Sequence, residues 1–135
     1  MTDLGLVVAE FNRDLTSEME EIALSAAEDE GAEVVEVAHV PGTYDMPLAV
    51  KRLCERGDVD AVATVGAVIT GDTGHDEVVV DVAADKCADL ALEHGKPVAL
   101  GVIGPDVSAD EARARTGYAR RSVESAVAMA ERYGD

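Results

Sequence analysis

Large aromatic side chains are almost missing from this sequence: there is no Trp, Phe11 is the one Phe, and aromatic residues make up 3% of the chain. A core must therefore be assembled from Val, Ala, Leu and Ile. Basic residues are scarce too. Against 28 Asp and Glu stand 11 Lys and Arg, a formal net charge of -17. That disfavours nucleic acid and anionic membrane as partners, since both require basic surface. Cysteine is limited to Cys54 and Cys87, in no Cys-x-x-Cys pair or Cys/His group, so buried free thiols are expected. No apolar run is long enough to span a bilayer and no secretory or lipidation signal is present, so a cytoplasmic location is expected. A GxxxxGK[ST] loop, a GxGxxG after the first strand and an HExxH or other metal-ligand spacing are all missing, and neither a metal nor a cofactor is indicated.

What remains is ordinary globular sequence. A chain of 135 residues forms one domain, 1–135, with a real core. The acidic residues are scattered among apolar-periodic stretches and form no tail, which argues against disorder. An acidic surface with few Lys suits a halophile's cytoplasmic protein, and that origin is expected.

The continuously apolar Leu4–Ala9, the Val-rich Glu33–Val40, the apolar Ala61–Ile69 and Pro97–Ile103 read as strands. Helical patterns alternate with them. The first runs from about Thr16 to Glu30, with Leu15, Met19, Ile22 and Ala26 on one face and Ser17 with Glu20 as a capping box. The second runs from Pro47, with Asp45 as N-cap, to Arg56. The third spans Asp76 to His94. The last begins with a Ser108/Glu111 capping box and continues to Tyr133, with a kink near Gly117. The order βαβαβαβα predicts an α/β fold: a three-layer α/β/α sandwich, flavodoxin-like, with a four-stranded parallel sheet and helices on both faces.

In such a sheet the loops after strands one, two and three emerge on one edge, where ligands bind. Each carries more than a connection needs. Phe11 is either a core plug or a face for stacking a flat heterocycle; Asn12 either reads a polar edge or forms a local turn. Pro41-Gly42-Thr43-Tyr44-Asp45-Met46-Pro47 has helix-entry residues, but Thr43 and Tyr44 add hydroxyls suited to a polyol. Thr70-Gly71-Asp72-Thr73-Gly74-His75 places glycine amides and a helix N-terminus where an anion is held, with His75 at the lip to move protons near neutral pH. Arg115, Arg120 and Arg121 stand out in an acidic chain. Each either pairs with a carboxylate or clamps a phosphate.

Four segments together resemble the 6,7-dimethyl-8-ribityllumazine synthase family. Ala9-Glu10-Phe11-Asn12 resembles its first-loop motif. Val40 to Pro47 resembles its VPGxxExP loop, with Asp45 for Glu. Gly66 to His75 resembles its GxVIxGxTxH signature. Pro97 to Gly101, then Glu111-Ala112 with Arg115, resemble its last strand and QAxxR helix. The resemblance implies a step of riboflavin biosynthesis: condensation of 5-amino-6-(D-ribitylamino)uracil with 3,4-dihydroxy-2-butanone 4-phosphate, with loss of phosphate and water and no cofactor or metal. By position, Phe11 stacks on the pyrimidine, Thr43, Tyr44 and Asp45 hold the ribityl chain and ring edge, and Ala67, Val68 and Ile69 meet the ring through backbone. Leu100 stands at a further ring contact, often aromatic in the family. Asp72, Thr73 and Arg115 serve the butanone phosphate, and His75 transfers protons.

The resemblance also implies a homopentamer, in some members twelve pentamers forming a 60-subunit shell, with Leu100 and Arg115 supplied across the subunit interface. Thr70, where bacterial relatives usually have Arg, and Asp76-Glu77-Val78, where they usually have an aromatic, read as an archaeal variant. An archaeal-type riboflavin synthase and a non-catalytic flavodoxin-like binding domain are the competing expectations.

Overall fold

In a computed structural model, which describes residues 1–71 and 75–134, four parallel strands lie in the order β2-β1-β3-β4. They are β1 Asp3–Ala9, β2 Glu33–Val40, β3 Ala61–Ala67 and β4 Val98–Ile103. Five helices accompany them: α1 Arg13–Asp29, α2 Met46–Cys54, α3 Asp76–His94, α4 Ala109–Arg113 and α5 Tyr118–Tyr133. A single 3-10 turn, Thr43–Asp45, precedes α2.

The three-layer expectation holds. Leu4, Leu6 and Val8 of β1 point into one apolar cluster with α1 and α5. Val7 and Ala9 point into the other, with Val50 and Leu53 of α2 and Cys87 and Leu90 of α3. This division follows from handedness. The chain moves one way across the sheet from β1 to β2, and the other way from β2 to β3 to β4. Right-handed crossovers then put α1 on one face and α2 and α3 on the opposite face. The central strands β1 and β3 are buried almost throughout, which is why both read as unbroken apolar runs. Cys54 and Cys87 are free and buried. Burial pushes the Cys87 thiol up to about 11.

Several boundaries differ from the expectations. Helix α1 begins three residues early, at Arg13, because Asn12 takes a left-handed conformation that turns the chain into the helix. Ser17 therefore lies inside the helix and forms no capping box with Glu20. Glu20 instead accepts hydrogen bonds from Arg13 at 3.1 Å and His39 at 2.8 Å. Helix α2 ends at Cys54, and Arg56 turns outward to pair with Glu36 and Asp58. Asp45 does not cap α2 with its side chain; its Oδ2 accepts from the Gly42 amide at 3.0 Å. Strand β3 ends at Ala67, although the Val68 amide still donates to the Ile103 carbonyl. The kink near Gly117 is a full break between α4 and α5. The Ser108/Glu111 capping box forms as read, with Glu111 N donating to Ser108 Oγ at 3.1 Å and Ser108 N to Glu111 Oε1 at 3.0 Å. The third helix keeps its expected bounds, Asp76–His94.

Helix α5 comes very close to the sheet at β4. A side chain at Gly101 would collide with the Thr64 carbonyl oxygen and stand 2.7 Å from Ser122 Cβ. Ser122 Oγ accepts from Thr64 N at 3.2 Å and donates to Thr64 O at 3.0 Å, inside the core. Gly101→Ala must shift the β4 backbone from the Thr64 carbonyl as well as α5 from the sheet, so it is expected to cost about 1–3 kcal/mol by overpacking. A chemical denaturation curve should show a lower midpoint with unchanged slope.

Candidate functional site

The sheet has one switch point, between β1 and β3, where successive connections leave in opposite directions. Crevices at such points, beyond the carboxyl ends of the strands, are where ligands sit in open α/β sheets. Here the crevice is a pocket of about 140 Å³ lined by Phe11, Thr43, Tyr44, Ala67, Val68 and Val79, with Gly42 at its rim.

Backbone pairing continues past the strands and shapes this pocket. Glu10 N donates to Val40 O at 2.7 Å, and Phe11 N donates to Pro41 O at 3.0 Å. The first and second loops thus remain zipped together, and Phe11 comes to stand beside Thr43. Asn12 Nδ2 donates to Ala67 O at 2.8 Å, tying the first loop to the end of β3. Asn12 forms the local turn: its backbone is left-handed and its side chain is a cross-link to β3. Phe11 is 49% exposed and so plugs no core, and Tyr44 is 62% exposed. Thr43 is buried, and a side chain at Gly66 would meet its Oγ1 at 2.9 Å. Gly66 therefore has a local reason to be glycine, one the sequence motif contained but could not explain.

His75 is exposed and opens α3, its carbonyl accepting from Val79 N at 2.9 Å. Val79 lines the pocket one turn later. His75 itself precedes the first helical residue and is not among the residues that line the pocket. Val79 itself was missed in the sequence, where it reads as an ordinary helix residue.

Other expected site residues fall elsewhere. Asp45, turned back to Gly42, does not line the pocket. Ile69 packs against the α1/α5 core. Asp72, Thr73 and Gly74, half of the expected anion loop, lie outside the described residues. Leu100 stands on β4, 41% exposed, beside a separate pocket at the free edge of the sheet. Arg115 lies between α4 and α5, with its guanidinium 3.8 Å from Glu111. Neither reaches the Phe11 pocket within one chain. Among the described residues, no group of three or more His, Cys, Asp and Glu is placed to hold a metal ion. No helix among them is long and apolar enough to cross a membrane.

The 6,7-dimethyl-8-ribityllumazine synthase family model matches residues 2–133. The chain belongs to that family. Proteins named 6,7-dimethyl-8-ribityllumazine synthase from three archaea agree with it along their lengths. The Methanoculleus marisnigri protein is 58% identical over 129 residues, covering 96% of each chain. The one from Methanococcus aeolicus is 55% identical over 135 residues, covering 100% of this chain and 99% of its own. The one from Methanocaldococcus jannaschii is 54% identical over 132 residues, covering 98% and 94%. Membership makes this chain an enzyme of the lumazine synthase type and sets aside both competing expectations, riboflavin synthase and non-catalytic binding domain.

The Asn12 cross-link generates a test. Asn12→Ala removes a partly buried hydrogen bond and leaves a left-handed backbone position to a residue that resists it. A loss of about 1–2 kcal/mol in thermal or chemical unfolding is expected, and the Phe11 loop should exchange its amide hydrogens faster than in the wild type.

Proposed function

We propose that this chain condenses 5-amino-6-(D-ribitylamino)uracil with 3,4-dihydroxy-2-butanone 4-phosphate to give 6,7-dimethyl-8-ribityllumazine. The observation that carries the residue-level reading is the meeting of Phe11, Thr43, Tyr44, Ala67 and Val68 around one pocket at the sheet's switch point, with the His75 end of α3 beside it. Phe11 offers its exposed ring to the flat pyrimidine. Ala67 and Val68, at the end of β3, present backbone groups to the ring. Thr43, Tyr44 and Asp45 serve the ring edge and ribityl hydroxyls, while Asp72 and Thr73 border the butanone phosphate.

The chemistry suits these groups. An amine of the aminouracil attacks the butanone carbonyl and water leaves to form an imine; loss of a neighbouring C–H proton supplies the electron pair that expels phosphate, and the second amine then adds to the remaining carbonyl, a second water leaving as the ring closes. Each step moves protons, a task suited to a histidine side chain, and His75 takes that role. The departing phosphate requires fixed positive charge, which Arg115 supplies. Much of the rate gain comes from holding two reactants in register.

The site is completed by a second copy. The Phe11 pocket, at about 140 Å³, is smaller than the roughly 300–1,000 Å³ common for small-molecule sites. Leu100 and Arg115 lie away from it on the same chain. A homopentamer, alone or as one unit of a 60-subunit shell, places the β4 edge of one copy over the pocket of the next. A cytoplasmic, salt-adapted setting fits the acidic composition.

The deciding assay mixes the two substrates with purified protein in high salt and follows the lumazine by absorbance. Product well above the uncatalysed background is expected. In His75→Ala, kcat should fall by about 10²–10⁴-fold with KM little changed. A His75→Ala variant as fast as the wild type would remove His75 from the mechanism. A net charge of -17 per chain makes copies repel one another at low ionic strength. Light scattering across a salt series should show assembly loosening as salt is withdrawn; assembly indifferent to salt would contradict this.

A further inference from the structure

The loops that carry Phe11 and Thr43 are tied from outside by a side-chain cluster to which the reading above gives no task. Glu20, midway along α1, gathers two donors on one oxygen. Its Oε1 accepts from the Arg13 guanidinium at 3.1 Å and from His39 Nε2 at 2.8 Å. Arg13 is the first residue of α1, two places after Phe11. His39 is the next-to-last residue of β2, two places before Pro41. The two donors thus stand at the roots of the two loops that wall the pocket.

Local structure explains each position. Strand side chains alternate, so His39 is on the same face of the sheet as Val37, which packs into the α1/α5 cluster. Arg13 and Glu20 are seven residues apart, about two turns of helix, and so share one side of α1. Strand β2 is an edge strand, paired with β1 alone, and the His39 contact is a tie that the sheet itself does not supply.

The contacts close a ring. On the inner side Phe11 N donates to Pro41 O at 3.0 Å. On the outer side Arg13, Glu20 and His39 join the same two segments. Loops held at both sides cannot pivot about a single backbone bond, so Phe11 and Thr43 keep their spacing. Most surface ion pairs contribute little. This cluster differs because the Glu20 side chain is 17% exposed and serves two donors at once. Burial acts to raise the Glu20 carboxyl, but the hydrogen bonds from His39 and Arg13 outweigh it and hold the carboxyl below its usual range.

We propose that Glu20 is a positioning residue for the aminouracil: through Arg13 and His39 it fixes the spacing of the loops whose Phe11 and Thr43 receive that substrate. This rests on the function proposed above. Glu20 does not line the pocket and acts only through its two donors.

The test is steady-state kinetics with each substrate varied in turn, for wild type, Glu20→Ala, Glu20→Gln, His39→Ala and the double variant Glu20→Ala/His39→Ala. Unfolding midpoints are measured in the same buffer. Glu20→Ala is expected to raise KM for the aminouracil about threefold to tenfold. Both kcat and KM for the butanone phosphate should change less than about twofold, because His75 precedes α3 on the opposite face of the sheet. The double variant should be no worse than Glu20→Ala alone, since both changes break the same contact. Glu20→Gln, which keeps an acceptor oxygen, should recover part of the lost KM. An unchanged aminouracil KM in Glu20→Ala overturns the proposal even where the unfolding midpoint falls, because the cluster would then serve stability alone. Equal rises in both KM values, or additive effects in the double variant, overturn it as well. A wild type that forms no lumazine fails the proposed function and this inference with it; a wild type that forms it while Glu20→Ala keeps its KM fails this inference alone.

Discussion

Everything in this fold depends on a core made of small side chains. With no Trp and its one Phe on the surface, the protein fills both interlayer spaces with Val, Ala, Leu and Met. Small residues make thin layers, so the helices must come close to the sheet to leave no voids. The limit is reached where α5 crosses β4. There the sheet presents Gly101, and Ser122 exchanges two hydrogen bonds with the Thr64 backbone while Thr64 Oγ1 donates to Ala99 O at 2.8 Å. Buried hydroxyls are generally partnered: the Ser122 hydroxyl by the Thr64 backbone, and the Thr64 hydroxyl by Ala99 O and Gly101 N. This polar lock sets where α5 lies and hence which of its residues face the open edge of the sheet.

The same scarcity of aromatics gives the site its character. Phe11 and Tyr44 are withheld from the core and stand exposed around the switch-point pocket. They can be held there because the loops that carry them are not independent. The parallel ladder runs on beyond β1 and β2 through Glu10 and Phe11, and the Asn12 side chain joins the first loop to β3. The pocket is an extension of the sheet's own hydrogen bonding, which places its walls with the precision of strands.

How much of this was legible in the sequence can be judged from two identical signals. Ser17-x-x-Glu20 and Ser108-x-x-Glu111 are both capping-box patterns, yet only the second forms. Ser108 follows a loop and has no rival as a helix start. Ser17 is overruled by Asn12, whose left-handed turn starts α1 a full turn sooner. That turn is accompanied by a contact with Ala67, 55 residues away, and a local pattern holds no record of such a contact. The layer order, strand positions and third helix were legible because they are repeated over many residues. The roles of Val79 and Gly66 were not, because each depends on one neighbour brought by the fold: the crevice for Val79, and Thr43 for Gly66.

The charge distribution bears on how a second copy completes the site. Chains of such uniform sign repel, so any contact between them has to concentrate what positive charge there is. Arg115 and Arg121 lie in the turn before α5 and its first turns, at the side where β4 is unpaired. The loops that carry Phe11 and Thr43, in contrast, expose Glu10 and Asp45. Under the proposed assembly, the face that contributes Leu100 and Arg115 thus brings basic side chains to a face that exposes carboxylates. Opposite charge at the contact offsets like charge elsewhere and fixes which face meets which. High salt then acts unequally. It screens the long-range repulsion between exposed carboxylates more than it weakens short contacts sealed at an interface. An acidic chain can therefore use salt to bring its copies together while the few arginines at the sheet edge still define the register of the active site.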